Sequence, residues 1–118
     1  KEDFYHGMMV GVLRTLCTVK SNRECGEGRP DIVVKDGHRA IILELKCLSP
    51  SLLKNMPLAE QFVKVPVMMG KLLDEAETQI KARYYIEGLM FEEQNITEVK
   101  AYSVCFCRKK CMVRLVGE

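Results

Sequence analysis

The 118-residue chain reads as an α/β domain of order αβββαβ, with a central mixed sheet flanked by helices. Three observations predict this class. Residues 2–16 carry apolar side chains at helical spacing, and residues 28–46 carry two β-branched runs around Asp36-Gly37. Residues 67–91 then return to helical spacing before a last pair of strands. Both faces of the central runs are apolar, so helices are expected on both sides of the sheet.

Taken in order, the first helix (2–16) places Phe4, Tyr5, Met8, Met9, Val12, Leu13 and Leu16 around nearly its whole circumference, which predicts a largely buried element. Gly7 and Gly11, one turn apart, would let it approach a neighbouring backbone. Glu2 and His6 share a face one turn apart. A first strand is expected over 17–23, then a turn through Gly26 and Gly28 with Glu24 and Glu27 flanking the entry to Asp31. Both glutamates read as solvated loop carboxylates that could join a metal site. With Asp36 and Gly37 as the hairpin loop, Lys35 opposes His38, Val33 opposes Ala40 and Asp31 opposes Ile42. Glu44 lies one diagonal step further, and the period of two brings Asp31, Glu44 and Lys46 out on one face.

Residues 47–65 are interrupted by Pro50 and Pro57 and followed by Pro66, with a short helix expected over 58–63. Pro66 is well placed to open a helix over 67–91, whose core stripe would be Met69, Leu72, Leu73, Ala76, Ile80 and Tyr84. Gln79 sits beside that stripe, and Gln94-Asn95 ends the helix. Strands over 99–106 and 112–116 would close the domain as a hairpin around Arg108-Lys109-Lys110.

Length and composition (47% apolar, 29% charged) fit one globular domain. The net charge of +2 neither demands nor opposes a nucleic-acid partner. No apolar run approaches the roughly 20 residues of a membrane span and no signal peptide is visible, so a cytoplasmic protein without membrane contact is expected. The six cysteines then read as reduced thiols. Cys105, Cys107 and Cys111 lack the paired spacing and nearby histidine of a zinc site. The start at Lys1-Glu2-Asp3, without an initiator Met, suggests a domain excised from a longer protein.

Two carboxylates and a lysine beside so many apolar residues need partners or a metal. Carboxylate oxygens suit Mg²⁺, which takes one or two of them plus water and substrate phosphate. Lys46 could orient or deprotonate an attacking water, or stabilise charge on phosphorus. An edge hairpin with solvated charges is the plainer reading, but Ile41, Ile42, Leu43 and Leu45 argue for a strand covered on both faces.

Pro30-Asp31, twelve intervening residues and Glu44-Leu45-Lys46 resemble the signature of the PD-(D/E)XK nuclease superfamily. Phe4-Tyr5-His6-Gly7, Ser21-Asn22-Arg23-Glu24 and residues 26–32 and 42–46 are similar to one bacterial branch of it, in which the domain ends proteins carrying an AAA-like ATPase domain. Residues 48–70 fit that pattern poorly. The resemblance implies a restriction-endonuclease-like fold and hydrolysis of DNA phosphodiesters with Mg²⁺ or Mn²⁺. Asp31, Glu44 and the Leu45 carbonyl would hold the metal, Glu2 would supply a first-helix carboxylate, and Lys46 would serve the water. Gln79 and Tyr85 match positions that face substrate or the catalytic strand. The alternative for Glu2 is a helix-dipole charge. For Gln79 and Tyr85 it is a surface amide and a half-buried aromatic, and for His6 a packing role. Arg108, Lys109 and Lys110 could hold phosphates, or simply keep a hairpin tip solvated. DNA, an ATPase domain of the same chain and a second copy of the chain are the expected partners, with helix 1 and residues 47–65 as the dimer contact. The competing function is a catalytically inactive nuclease-like module that binds nucleic acid or regulates an attached ATPase.

Overall fold

In the computed structural model, which describes residues 2–15, 18–21 and 26–117, the central chain reversal falls at Gly37-His38. β2 (Ile32–Asp36) pairs antiparallel with β3 (Arg39–Cys47), from Asp36 opposite Arg39 to Ile32 opposite Leu43. The loop is thus one residue later than Asp36-Gly37. Gly37 takes the positive φ (64°) that a type II′ loop requires of its first residue. Because the loop still has two residues, side-chain parity survives. Asp31 now follows the last rung and comes level with Glu44 instead of Ile42.

The sheet has five strands in the order β1-β2-β3-β4-β5, with β1 (Thr18–Ser21), β4 (Glu98–Cys107) and β5 (Lys110–Leu115) completing it. All neighbours are antiparallel except β3 and β4. That parallel pair needs a long crossover. It is supplied by a 3₁₀ turn (Pro50–Leu53), α2 (Leu58–Ala82) and α3 (Tyr85–Glu92). The expected first strand is present as β1; positions 17 and 22–25, Glu24 among them, lie outside the described residues.

α1 (Glu2–Leu13) ends earlier than expected, in a turn where the Arg14 amide donates to the Val10 carbonyl. It is not largely buried. Tyr5, Met9, Val10 and Leu13 pack on Ile32, Val34, Leu43, Leu45, Val104 and Phe106, while Phe4 (68% exposed), Met8 and Val12 face outward. Gly7 and Gly11 meet nothing within 4 Å, so they mediate no close approach within the described chain. An apolar circumference cannot all be buried against one face of a sheet.

α2 begins at Leu58 and runs through Pro66 instead of starting after it. Val65, Met69, Leu73, Ala76 and Ile80 form one buried stripe along it. That stripe carries the helix past a proline whose missing N–H and ring cost about 3 kcal/mol. The Glu60–Lys64 pair lies one turn apart across the same segment. The single helix expected over 67–91 is instead broken at Arg83-Tyr84, where Tyr84 adopts a left-handed conformation (φ 54°, ψ 43°). The break rotates the following turn, so Tyr84 is exposed and Tyr85 and Leu89 point into the core. α2 and α3 cover the face bearing Val33, Ala40, Ile42 and Ala101. Residues 48–57 are a structured cover: Leu53 is buried with Leu48, Val65, Met69, Leu73, Cys105 and Cys107. The closing hairpin has a two-residue turn, Arg108-Lys109, with Lys110 already in β5. No helix among the described residues is long and apolar enough to cross a membrane.

Candidate functional site

Beyond Ile32 and Leu43 the backbone pairs of β2 and β3 end. The side chains at that point replace them. The Leu45 amide donates to Asp31 Oδ2 (2.7 Å), and the Asp31 amide donates to Glu44 Oε1 (3.2 Å). Each strand thus ties down the other's carboxylate, and among the described residues the second oxygen of each accepts no hydrogen bond. Glu44 is buried (4% exposed) and Asp31 half-buried.

This pairing is electrostatically expensive. Burial, then the neighbouring Asp31 charge, pushes the Glu44 carboxyl up to about 7. Burial also raises Asp31, opposed by the Leu45 amide, His6 and Lys46. Glu2 is raised too, first by desolvation and then by Asp31, with Lys46 pulling it down. The Lys46 charge lowers all three carboxyls, so Glu2, Asp31, Glu44 and Lys46 lie near one another. The structure also gives His6 a job: its Nε2 sits 3.0 Å from the Asp31 carbonyl oxygen and fixes the residue's backbone.

The α2–α3 break forms the roof. Gln79 Nε2 donates to Tyr85 Oη (3.2 Å), and burial, chiefly, raises the phenol, with Glu44 and Asp31 adding to it. Tyr85 is a core residue (1% exposed), not a half-buried aromatic, and its hydroxyl lies near enough to Glu44 and Asp31 to feel their charge. The loop that delivers Asp31 is seated on the same break. The Glu27 amide donates to the Arg83 carbonyl (2.8 Å), so Glu27 serves through its backbone. A Cβ on Gly26 (φ 58°) would lie 2.3 Å from the Tyr84 carbonyl oxygen.

Arg108, Lys109 and Lys110 occupy the same end of the sheet. Cys47 pairs with Phe106, so the turn projects just past the strand that carries Glu44 and Lys46. Tyr5 ties α1 to it, stacking on Phe106 (centroids 4.4 Å apart) and donating from Oη to the Arg108 carbonyl (2.9 Å). Arg108 is held at φ 54°, a strained value for a non-glycine residue. The three cations line a groove of about 300 Å³ with Leu53, Gln61, Val65 and Cys107. The 48–66 segment therefore borders the basic turn.

Among the described residues no cluster of three or more His, Cys, Asp or Glu is arranged to hold a metal. Two converging carboxylates that repel one another are nonetheless a donor set Mg²⁺ accepts, since it keeps several waters. Asp31, Glu44 and the Leu45 carbonyl fit that requirement.

The family model described as PD-(D/E)XK nuclease superfamily matches residues 1–115. A solved structure described as "Crystal structure of SSO0001" superposes with a TM-score of 0.50 at 16% identity, a likeness of fold. The match covers 98% of this chain and 50% of that one, so the chain spans about half its length. No curated protein matches.

Proposed function

The chain belongs to the PD-(D/E)XK nuclease superfamily, and from that premise we propose that it hydrolyses DNA phosphodiester bonds with Mg²⁺ or Mn²⁺. The observation that carries this reading is the Asp31–Glu44 pair, two carboxylates tied to each other's strand, both raised in pKa chiefly by burial and Glu44 further by the Asp31 charge. Asp31, Glu44 and the Leu45 carbonyl hold the ion, which supplies Lewis-acid stabilisation of charge at phosphorus. Lys46 places its ammonium beside the carboxylates, where it orients water or neutralises a phosphate oxygen. Glu2 closes the locus from α1. Gln79, through Tyr85, keeps a polar group over Glu44 in an otherwise apolar roof. Arg108, Lys109 and Lys110 hold the flanking phosphates. An ATPase domain in the same polypeptide and a second copy of the chain remain its proposed partners.

Calorimetric titration with Mn²⁺ tests the site, with plasmid nicking alongside. Wild type should bind the ion and nick only in its presence. Asp31→Asn should weaken binding by at least tenfold and abolish nicking, and Lys46→Ala should bind the ion yet lose at least a hundredfold in rate. DNA binding without nicking at any metal concentration would replace the enzyme with a nucleic-acid-binding module.

A further inference from the structure

Glu44, Ser103 and Arg114 form one row across β3, β4 and β5, with Asp31, just before β2, level with Glu44. Glu44 pairs with Ser103 between β3 and β4, and Ser103 pairs with Arg114 between β4 and β5. Paired residues share a face of the sheet, here the one under α2, to whose Asp74 the Arg114 guanidinium bonds. Within this row Ser103 is fully buried (0% exposed), and its Oγ is the one buried side-chain N or O atom without a hydrogen-bond partner among the described residues. A buried hydroxyl in that state is costly, so it needs a reason to be there.

The polar groups within reach narrow the reason. Along β4 its same-face neighbours are Ala101 and Cys105, and the Cys105 thiol is directed at the Phe106 carbonyl. Of the helix residues packed with those neighbours, Met69 and Leu73 beside Cys105 and Ile80 beside Ala101 are apolar, and the Tyr85 hydroxyl beside Ala101 accepts from Gln79. On the β5 side the Arg114 guanidinium can only donate; its Nη1 bonds Asp74, and it makes no bond to the Ser103 hydroxyl. On the β3 side stands Glu44, with one oxygen on the Asp31 amide and the other not engaged. We propose that Ser103 is a positioning residue, whose hydroxyl donates to the second Glu44 oxygen when that carboxylate turns to hold a divalent ion. The inference rests on the metal-site reading above. It adds a residue from a strand that carries none of the residues assigned to the metal.

The two possible roles of Ser103 differ in ion affinity and agree in melting. A purely structural serine replaced by Ala removes an orphaned polar atom, leaving the melting temperature unchanged or higher and ion affinity untouched. A positioning serine gives the same melting behaviour, but Mn²⁺ affinity falls about tenfold, as for other residues that orient metal ligands. Ser103→Thr, which keeps the hydroxyl, should hold Mn²⁺ affinity within about threefold of wild type. Calorimetry with Mn²⁺ alone and thermal melts on wild type, Ser103→Ala and Ser103→Thr make the measurement. Ser103→Ala binding Mn²⁺ like wild type overturns the Ser103 role and leaves the metal site standing. So does equal loss in both variants, which assigns the effect to packing. A wild type that binds no Mn²⁺ overturns the metal reading and the Ser103 role together.

Discussion

At the scale of single residues, the charged strand end works against folding when it is empty. Glu44 stands at about 7 in the folded protein against 4.5 when unfolded, so the native state binds its proton more tightly. The stabilisation this provides is fully present below pH 4.5 and is lost as pH rises through about 7, a change on the order of 3 kcal/mol. Asp31 and Glu2 are displaced the same way. The metal-free protein should therefore melt at lower temperature at pH 8 than at pH 5.5, and Glu44→Gln should flatten that dependence while removing Mn²⁺ binding. In wild type at pH 8, Mn²⁺ at a hundred times its Kd should restore about 2.7 kcal/mol. Thermal melts across that pH range, with and without Mn²⁺, check all three outcomes. Asp31, Glu44 and Lys46 were legible in the sequence because their spacing and the period of two suffice to bring them together. Ser103 was not, because nothing local in Tyr102-Ser103-Val104 says which residue of a distant parallel strand will lie beside it.

At the scale of elements, two backbone features set where the site residues stand. Gly26 seats the Asp31 loop against the Tyr84 carbonyl at a positive φ. Gly26→Ala should cost about 2–4 kcal/mol by denaturant melts, from left-handed strain plus overpacking. It should also weaken Mn²⁺ binding, since Asp31 moves with the loop. Pro66 has the opposite sign. It interrupts α2 between Val65 and Val67, on the exposed side of the helix. Pro66→Ala should raise stability by about 2 kcal/mol, the helix-interior penalty less the entropy proline removes from the unfolded chain. If Pro66→Ala destabilises instead, the proline is shaping the segment beside the basic turn. Proline chemistry favours a helix start at Pro66, and the local pattern gave no warning that Val65 would be drawn into the core stripe. The break at Tyr84 was equally silent: Ile80 and Tyr84 continue a helical period, and only the seat offered to Gly26 and Glu27 makes the turn useful.

At the scale of the molecule, the radius of gyration of 15.3 Å exceeds the roughly 13 Å of a compact chain this long, and the long axis is 51 Å. The chemistry is gathered at one end, where α1, the β2 entry, the β3 exit and the β4–β5 turn meet. If Arg108, Lys109 and Lys110 hold phosphates there, replacing all three with Ala should reduce the slope of log K against log salt for duplex binding by about 2 to 3. Asp31→Asn should leave that slope unchanged. Fluorescence anisotropy over a salt series measures it, and an unchanged slope in the triple variant would assign the turn to solvation alone. What the sequence by itself determined is the element order, the hairpin parity and the carboxylate–lysine constellation, all of which follow from residues within about twenty positions of one another. Only the tertiary structure decided which face of α1 is covered, where the crossover helix breaks, and that His6 and Ser103 reach the same end of the sheet. Those outcomes depend on competition among remote surfaces for a limited buried area, and no local pattern encodes the winner.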